Sequence, residues 1–324
     1  MEQKENMPRV LDPRLRLRHL QCLIALASHR SVLKAADALS QTPSAVSKSL
    51  AELEAITGET LALRHRKGLE LTPAGHILLR HAAQAIGALR DGFELLGAGD
   101  KAPEHIRIGI LPTAAATLVP KAIQEMQARY SHLVVTAHGG TNADLLVRLK
   151  LRELDLVIGR ISHPSEMVGI SFEHLYMEPL VMAVRPDHPL LTRPTLGPAD
   201  LGAFSMVLPM KGTYIRPAAE TFLQSSGVGI PQQIVETLSS TVARSLMRTS
   251  DAIWFVPYGV IEADLDRGEA RALPVDTSPT SAAVGLTTLG MGEVRESVRL
   301  FIDVVREVAG EMRNRNRRSM FMRR

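Results

Sequence analysis

Residues 31–49, Ser-Val-Leu-Lys-Ala-Ala-Asp-Ala-Leu-Ser-Gln-Thr-Pro-Ser-Ala-Val-Ser-Lys-Ser, constrain this chain more than any other stretch. They read as two short helices joined by a tight turn. Ala35, Ala36 and Leu39 form an apolar patch at helical spacing, and the small alanines let a second helix cross closely. Ser40, Gln41 and Thr42 make the turn. Thr42 is placed to cap the next helix, and Pro43 takes the first helical position, where its missing N–H costs nothing. Gly58 marks the end of that helix. Val46, Leu50, Leu53 and Ile56 recur at i, i+4, i+7 and i+10 and predict one buried stripe, with Ser44, Ser47, Lys48 and Ala51 on the other side. Small hydroxyl side chains permit close approach to base edges in a major groove, and a lysine reaches phosphate or guanine. An amphipathic helix with a solvated face would carry the same stripe. The paired helices favour a helix-turn-helix.

Residues 63–75 follow, with apolar ends around the basic tip Arg64-His65-Arg66-Lys67-Gly68. This predicts a small hairpin, a wing that sets Arg64, Arg66 and Lys67 against a phosphate backbone. The DNA-facing set is therefore Ser31, Lys34, Thr42, Pro43, Ser44, Ser47, Lys48, Arg64, Arg66 and Lys67. Next, Leu79, Ala82, Ile86, Leu89, Phe93 and Leu96 are spaced 3, 4, 3, 4, 3, an a/d seam of about three heptads suited to pairing with a second copy. The alternative is a stripe that packs on its own domain. Residues 98–103, with the breaker residues Gly99 and Pro103 and just after Gly97, read as a hinge.

Charge is uneven. Residues 1–99 hold thirteen Lys/Arg against ten Asp/Glu, and the last fourteen residues hold six Arg against one Glu. With a net charge of +4 overall, the middle is acidic, which suits a nucleic-acid-binding head joined to a domain that does not bind nucleic acid. The one cysteine, Cys22, lies among apolar residues and reads as core packing. No signal-peptide core and no apolar run near the ~20 residues of a membrane span are present, so a cytoplasmic protein is expected.

From residue 104 onward, strand and helix patterns alternate. Strands are predicted at 106–110, 133–137 and 154–160, with helices at 117–130 and 144–151. A second set has strands at 180–184, 205–208 and 253–256, and helices at 216–226 and 241–249, before a final helix at about 292–308. In the first set, apolar strands followed by helices indicate a parallel α/β sheet.

The first ninety-odd residues resemble the amino-terminal domain of LysR-type transcriptional regulators. The helix at 17–28, the 31–49 unit, the 64–72 wing and the junction Leu71-Thr72-Pro73-Ala74-Gly75 carry the likeness. Thr57 and Ala62 depart from the family pattern, both at positions that concern packing under the wing. The resemblance implies a winged helix-turn-helix at 14–75, a dimerising linker helix at 76–97, the hinge at 98–103, and an effector-binding domain at 104–311 before a basic tail at 312–324. That domain is expected to be a periplasmic-binding-protein-like α/β sensor of two subdomains. The first spans about 104–176 and 277–311, the second about 177–276. Implied partners are an operator duplex, a second copy in a dimer and then a tetramer, and RNA polymerase.

The resemblance also implies a ligand cleft, since ligands of open parallel sheets bind outside the carboxyl ends of strands, near helix amino-termini. Those positions hold Pro112, Thr113, Thr141, Asn142 and Arg160 in the first subdomain, and Gly212, Thr213, Arg216, Ser239 and Ser240 in the second. Two arginines suit a carboxylate, although hydroxyls that only cap helices and solvated arginines would look alike. Arg18-His19-Leu20-Gln21, Ile158-Gly159-Arg160, Phe172-Glu173-His174-Leu175-Tyr176 and Ile215-Arg216-Pro217 are similar to the subgroup that controls protocatechuate breakdown, the PcaQ-like regulators. In that case the implied inducer is a carboxymuconate or a related aromatic-catabolic acid. Regulators of sugar-binding-protein genes share much of the pattern and remain an alternative. A solute-binding protein is a third reading, disfavoured by the DNA-binding head. An enzyme is not expected: no metal-ligand spacing, nucleophile motif, phosphate loop or cofactor fingerprint stands in the right context.

Overall fold

A computed structural model describes residues 12–322, apart from 66–67, 99–103, 162–166, 168, 230, 232 and 291–293; the side chains of 91, 94–95, 97–98 and 314–322 also lie outside the description. The chain falls into an amino-terminal unit that reaches Ala102 and takes in Lys150–Glu153, and a carboxy-terminal unit that begins at Pro103 and holds the rest.

The first unit packs α1 (Leu17–His29), α2 (Val32–Ala38) and α3 (Pro43–Thr57) around Cys22, Leu23, Leu26, Ala35, Ala36, Val46, Leu50 and Leu53. The local chemistry of α3 follows the sequence. Thr42 Oγ1 accepts from Ala45 N at 3.2 Å, Pro43 opens the helix, and Gly58 closes it at φ +74°. The wing is the antiparallel pair β1 (Ala62–His65) and β2 (Gly68–Leu71). Gly68 must be glycine: its φ is +134°, and a Cβ there would lie 2.6 Å from the Arg30 carbonyl oxygen. Leu69 N donates to that same oxygen at 2.9 Å and ties the wing to the end of α1. α4 (Pro73–Ala98) completes the unit.

The second unit holds two five-stranded sheets. The first has order β4-β3-β5-β12-β6, built from β3 (Glu104–Ile110), β4 (Leu133–Gly139), β5 (Leu156–Arg160), β6 (Ile170–Glu178) and β12 (Ala282–Leu289). It is flanked by α5 (Pro112–Ala115), α6 (Leu118–Arg129), α7 (Asn142–Lys150) and α12 (Glu296–Met322). The second has order β11-β7-β10-β8-β9, from β7 (Leu180–Val184), β8 (Met206–Leu208), β9 (Ile234–Glu236), β10 (Ile253–Pro257) and β11 (Arg271–Ala272). Its helices are α8 (Pro198–Gly202), α9 (Ile215–Ser225), α10 (Ser240–Thr249) and α11 (Tyr258–Asp266). Each sheet has its own apolar core.

The parallel sheet predicted from the strands at 106–110, 133–137 and 154–160 is found: β3 runs parallel to β4 and β5. The strands outside that prediction bring antiparallel pairs, since β12 is antiparallel to both β5 and β6, and β7 is antiparallel to β10. For β12 the cause is the crossover. β6 passes into β7 across Pro179 alone, and the chain returns as β12. A strand that returns to a sheet through its neighbour must run against the strands already there. A correction concerns the end of the chain. The final helix runs past residue 308 and includes most of the segment read as a separate tail. Residues after Gly310 contain no proline or glycine, so nothing local stops the helix. No helix among the described residues is long and apolar enough to cross a membrane.

Candidate functional site

On the first unit, α3 presents its amino-terminal half to solvent. Ser44, Lys48 and Pro43 are exposed, and Ser47 is half-buried. Thr42 Oγ1 and Ser44 Oγ lie 2.9 Å apart. Arg64 reaches from β1 onto this same face, and its Nη2 donates to Ser47 Oγ at 2.9 Å. The wing arginine therefore stands beside α3. Ser31 caps α2 by accepting from Lys34 N at 3.4 Å, and Lys34 is exposed. Arg66 and Lys67, at the wing tip, lie outside the described residues, as do residues 99–103 of the expected hinge.

Sequence reasoning missed the groups that fix α3 in place. Glu52 accepts from Arg18 Nη2 at 2.9 Å, lies 3.0 Å from His19 Nε2, and stands 4.0 Å from Lys48 Nζ. His19 Nδ1 accepts from Arg16 N at 3.2 Å, so Nε2 carries the ring proton toward Glu52. The bonds from His19 and then Arg18 hold the Glu52 carboxyl below its usual range. Glu54 Oε1 accepts from Leu61 N at 2.8 Å and Ala62 N at 3.3 Å, so α3 also sets where β1 begins.

The linker seam divides. Ala82 is buried in its own unit, and Leu79 packs on the head core. Ile86 is half-buried. Leu89, Phe93 and Leu96 are 48%, 71% and 83% exposed, an apolar strip at heptad spacing.

In the second unit, the expected cleft residues do stand at strand ends and helix starts. Most of their polar atoms already have local partners. Thr113 is buried in α5, next to Pro112 at its first position. Thr141 Oγ1 donates to Asp144 Oδ2 at 2.6 Å and accepts from Asp144 N at 3.3 Å. Asn142 Nδ2 donates to the Arg160 carbonyl at 3.5 Å. Gly212 turns at φ +84° and Thr213 Oγ1 donates to Met210 O at 2.7 Å. Ser239 Oγ caps α10 by accepting from Val242 N at 3.3 Å, and Ser240 begins that helix.

The two arginines are not poised as an open pair of grips. Arg216 is buried. Its Nε donates to Glu220 Oε1 at 2.8 Å and its Nη1 to Pro209 O at 2.8 Å, while Nη2 lies 3.0 Å from Glu236 Oε1. Arg160 is also buried and fastens the crossover. Its Nη2 donates to Glu178 O at 2.7 Å on one crossing strand, and its Nη1 to Thr280 O at 3.4 Å in the turn that precedes the other. The Glu178 carboxylate is 3.8 Å away. Burial pulls the Arg160 proton affinity down, against the pull of Glu178. The sequence held no sign of Glu178, Thr280 or Glu236 as partners, because the pairings are made by topology.

Residues 17–76 match the model for "Bacterial regulatory helix-turn-helix protein, lysR family", and residues 99–310 match "LysR substrate binding domain". The chain is 37% identical to the HTH-type transcriptional regulator PcaQ of Agrobacterium fabrum, over 94% of this chain and 98% of that protein. It is 33% identical to the uncharacterized HTH-type transcriptional regulator YdcI of Escherichia coli, over 92% and 97%. Among solved structures, ArgP of Mycobacterium tuberculosis superposes with a TM-score of 0.62 at 17% identity, covering 90% of this chain and 96% of that one.

Proposed function

The chain belongs to the LysR family of transcriptional regulators, and from that premise we propose that it switches an aromatic-acid catabolic operon in answer to a small carboxylate. The observation that carries the reading is the near-full-length similarity to PcaQ, beside the PcaQ-like stretches around Arg160, Tyr176 and Arg216. DNA is engaged by Ser44, Ser47, Lys48 and Arg64, which share one face, together with Ser31, Lys34, Thr42 and Pro43 at the helix starts. Arg66 and Lys67 add phosphate contacts by their place in the sequence. Two copies pair through the exposed strip of Leu89, Phe93 and Leu96.

The inducer occupies the carboxyl ends of the parallel strands, where α7, α9 and α10 begin. The amino-terminal regions around Asn142, Thr213 and Ser240 supply its anion contacts. Arg160 and Arg216 act from behind, since each is held by groups of its own chain. A second reading rests on that same internal pairing. A cleft of hydroxyls over neutralised arginines also suits a sugar.

Calorimetry on the full chain with 3-carboxymuconate, protocatechuate and galactose separates the two, and footprinting upstream of the neighbouring genes locates the operator. Binding of a carboxylate with a shifted footprint is the expected result. Sugar binding alone would replace the inducer class and leave the regulator standing.

A further inference from the structure

Glu178 is the last residue of β6, separated from β7 by Pro179 alone, so it sits where one sheet hands the chain to the other. Its side chain is 95% buried. Oε1 accepts from Gly259 N at 2.9 Å, at the start of α11 in the second subdomain. A Cβ at Gly259 would stand 2.6 Å from Glu178 Oε1, 3.3 Å from Thr113 O and 3.3 Å from Thr117 Oγ1. The carboxyl, the head of α11 and the segment from Thr113 to Thr117 of the first subdomain are thus packed without spare room. Buried in the same region, Glu178 Oε2, Arg160 Nε, Tyr176 OH and Thr117 Oγ1 have no hydrogen-bond partner.

The Glu178 carboxyl has given up its water here, which disfavours its charged form. The charged or titratable groups that act on it are Arg160 from β5, Tyr176 on its own strand and Glu262 from α11. α5, the turn after it and the turn before the returning strand bring Thr113, Thr117 and Thr280. One cation faces two acids and a full loss of water.

We propose that Glu178 is a proton-operated latch between the two sensor subdomains: protonated, it holds the start of α11 against the crossover, and ionised, it lets α11 go. The driving force is linkage. In the latched form, burial raises the Glu178 carboxyl to about 7, with Arg160 and Gly259 pulling the other way. Once α11 moves off and water enters, the carboxyl returns to the ordinary range near ~4.3. Opening therefore releases a proton between about pH 4.3 and 7, and it is favoured as pH rises through that window and no further above it. Glu178 acts here as a positioning residue, through Gly259 and Arg160, and the proposal does not depend on which inducer the cleft takes.

Hydrogen exchange of the full chain between about pH 5 and 8.5, corrected for intrinsic rates, tests it. The readout is peptides that cover 176–181, 258–264 and 277–282. In the wild type, the opening equilibrium of these segments should rise about tenfold per pH unit from about pH 5 to about 7 and level off above it. In Glu178→Gln it should stay flat throughout. A flat wild type, or the same rise in Glu178→Gln, overturns the latch. Should that variant not fold, infrared difference spectra of the wild type decide. A protonated carboxyl band that disappears near pH 7 supports the latch, and its absence overturns it.

Discussion

Arg216 separates two ways of reading an arginine in a ligand cleft. If it were held for a ligand, its removal would leave the empty protein almost as stable as before. The structure instead surrounds it with Glu220, Glu236 and the Pro209 carbonyl, all within 3.0 Å. Arg216→Ala strands two carboxylates and a buried carbonyl. Breaking a buried pair costs about 3–5 kcal/mol, but both carboxylates are about a third exposed, so water screens part of the loss. A cost of about 2–3 kcal/mol follows. Trp254, the one tryptophan, is buried in β10 of the same sheet and reports unfolding there. For an m-value of about 2 kcal/mol/M, the urea midpoint of its fluorescence should fall by about 1–1.5 M. A midpoint within about 0.2 M of wild type, with inducer affinity lost by orders of magnitude, would refute the reasoning and return Arg216 to the ligand.

Four further outcomes are expected. Gly285 lies at the irregularity between β12 and β6, where a Cβ would collide with the Glu173 carbonyl, so Gly285→Ala should lower the sensor's melting temperature by about 5–10 °C; calorimetry showing less than about 1 °C would contradict the pairing. Burial pushes the Cys22 thiol up to about 11, and it should resist thiol reagents until the head unfolds; rapid labelling of the native chain would count against its buried place. Wild type should lose stability relative to Glu178→Gln as pH rises from about 4.5 through 7, by about 3 kcal/mol in all, because an acid whose folded pKa is raised favours the native state only while protonated; equal pH profiles in urea titrations would exclude this. Replacing Ser47 and Lys48 with alanine should cost about 1–3 kcal/mol of specific operator binding per lost base contact, and an unchanged footprint titration would move the reading face elsewhere.

What was legible in the sequence is what local chemistry decides. Thr42, Pro43 and Gly58 mark a helix within a few residues of themselves, and the Val46-Leu50-Leu53 stripe closes onto one core. The strand ends of the sensor were legible for the same reason. Partners across the fold were not. Arg160 meets Thr280 from 120 positions away, and Arg216 meets Glu236 only because β8 and β9 lie side by side. Strands β6 and β12 escaped detection because polar residues, Ser171, Glu173 and His174 in one and Thr287 and Thr288 in the other, interrupt the apolar run that marks a strand such as β5. The reach of α12 escaped because its far end is read by charge, while backbone propensity carries the helix on.

The place of β12 has a bearing on how the chain is made. It lies between β5 and β6, in the interior of the first sheet, yet it is the last strand to leave the ribosome. Until residue 289 has emerged, β5 and β6 lack the neighbour that joins them, and two strand edges stand open on a nascent chain. The second subdomain, contiguous between the crossings, meets no such delay. Synthesis thus delivers a finished head and a finished insert before it delivers a finished first sheet. A chain cut short before residue 282 would retain every group read here as touching DNA, with half of its sensor unable to close.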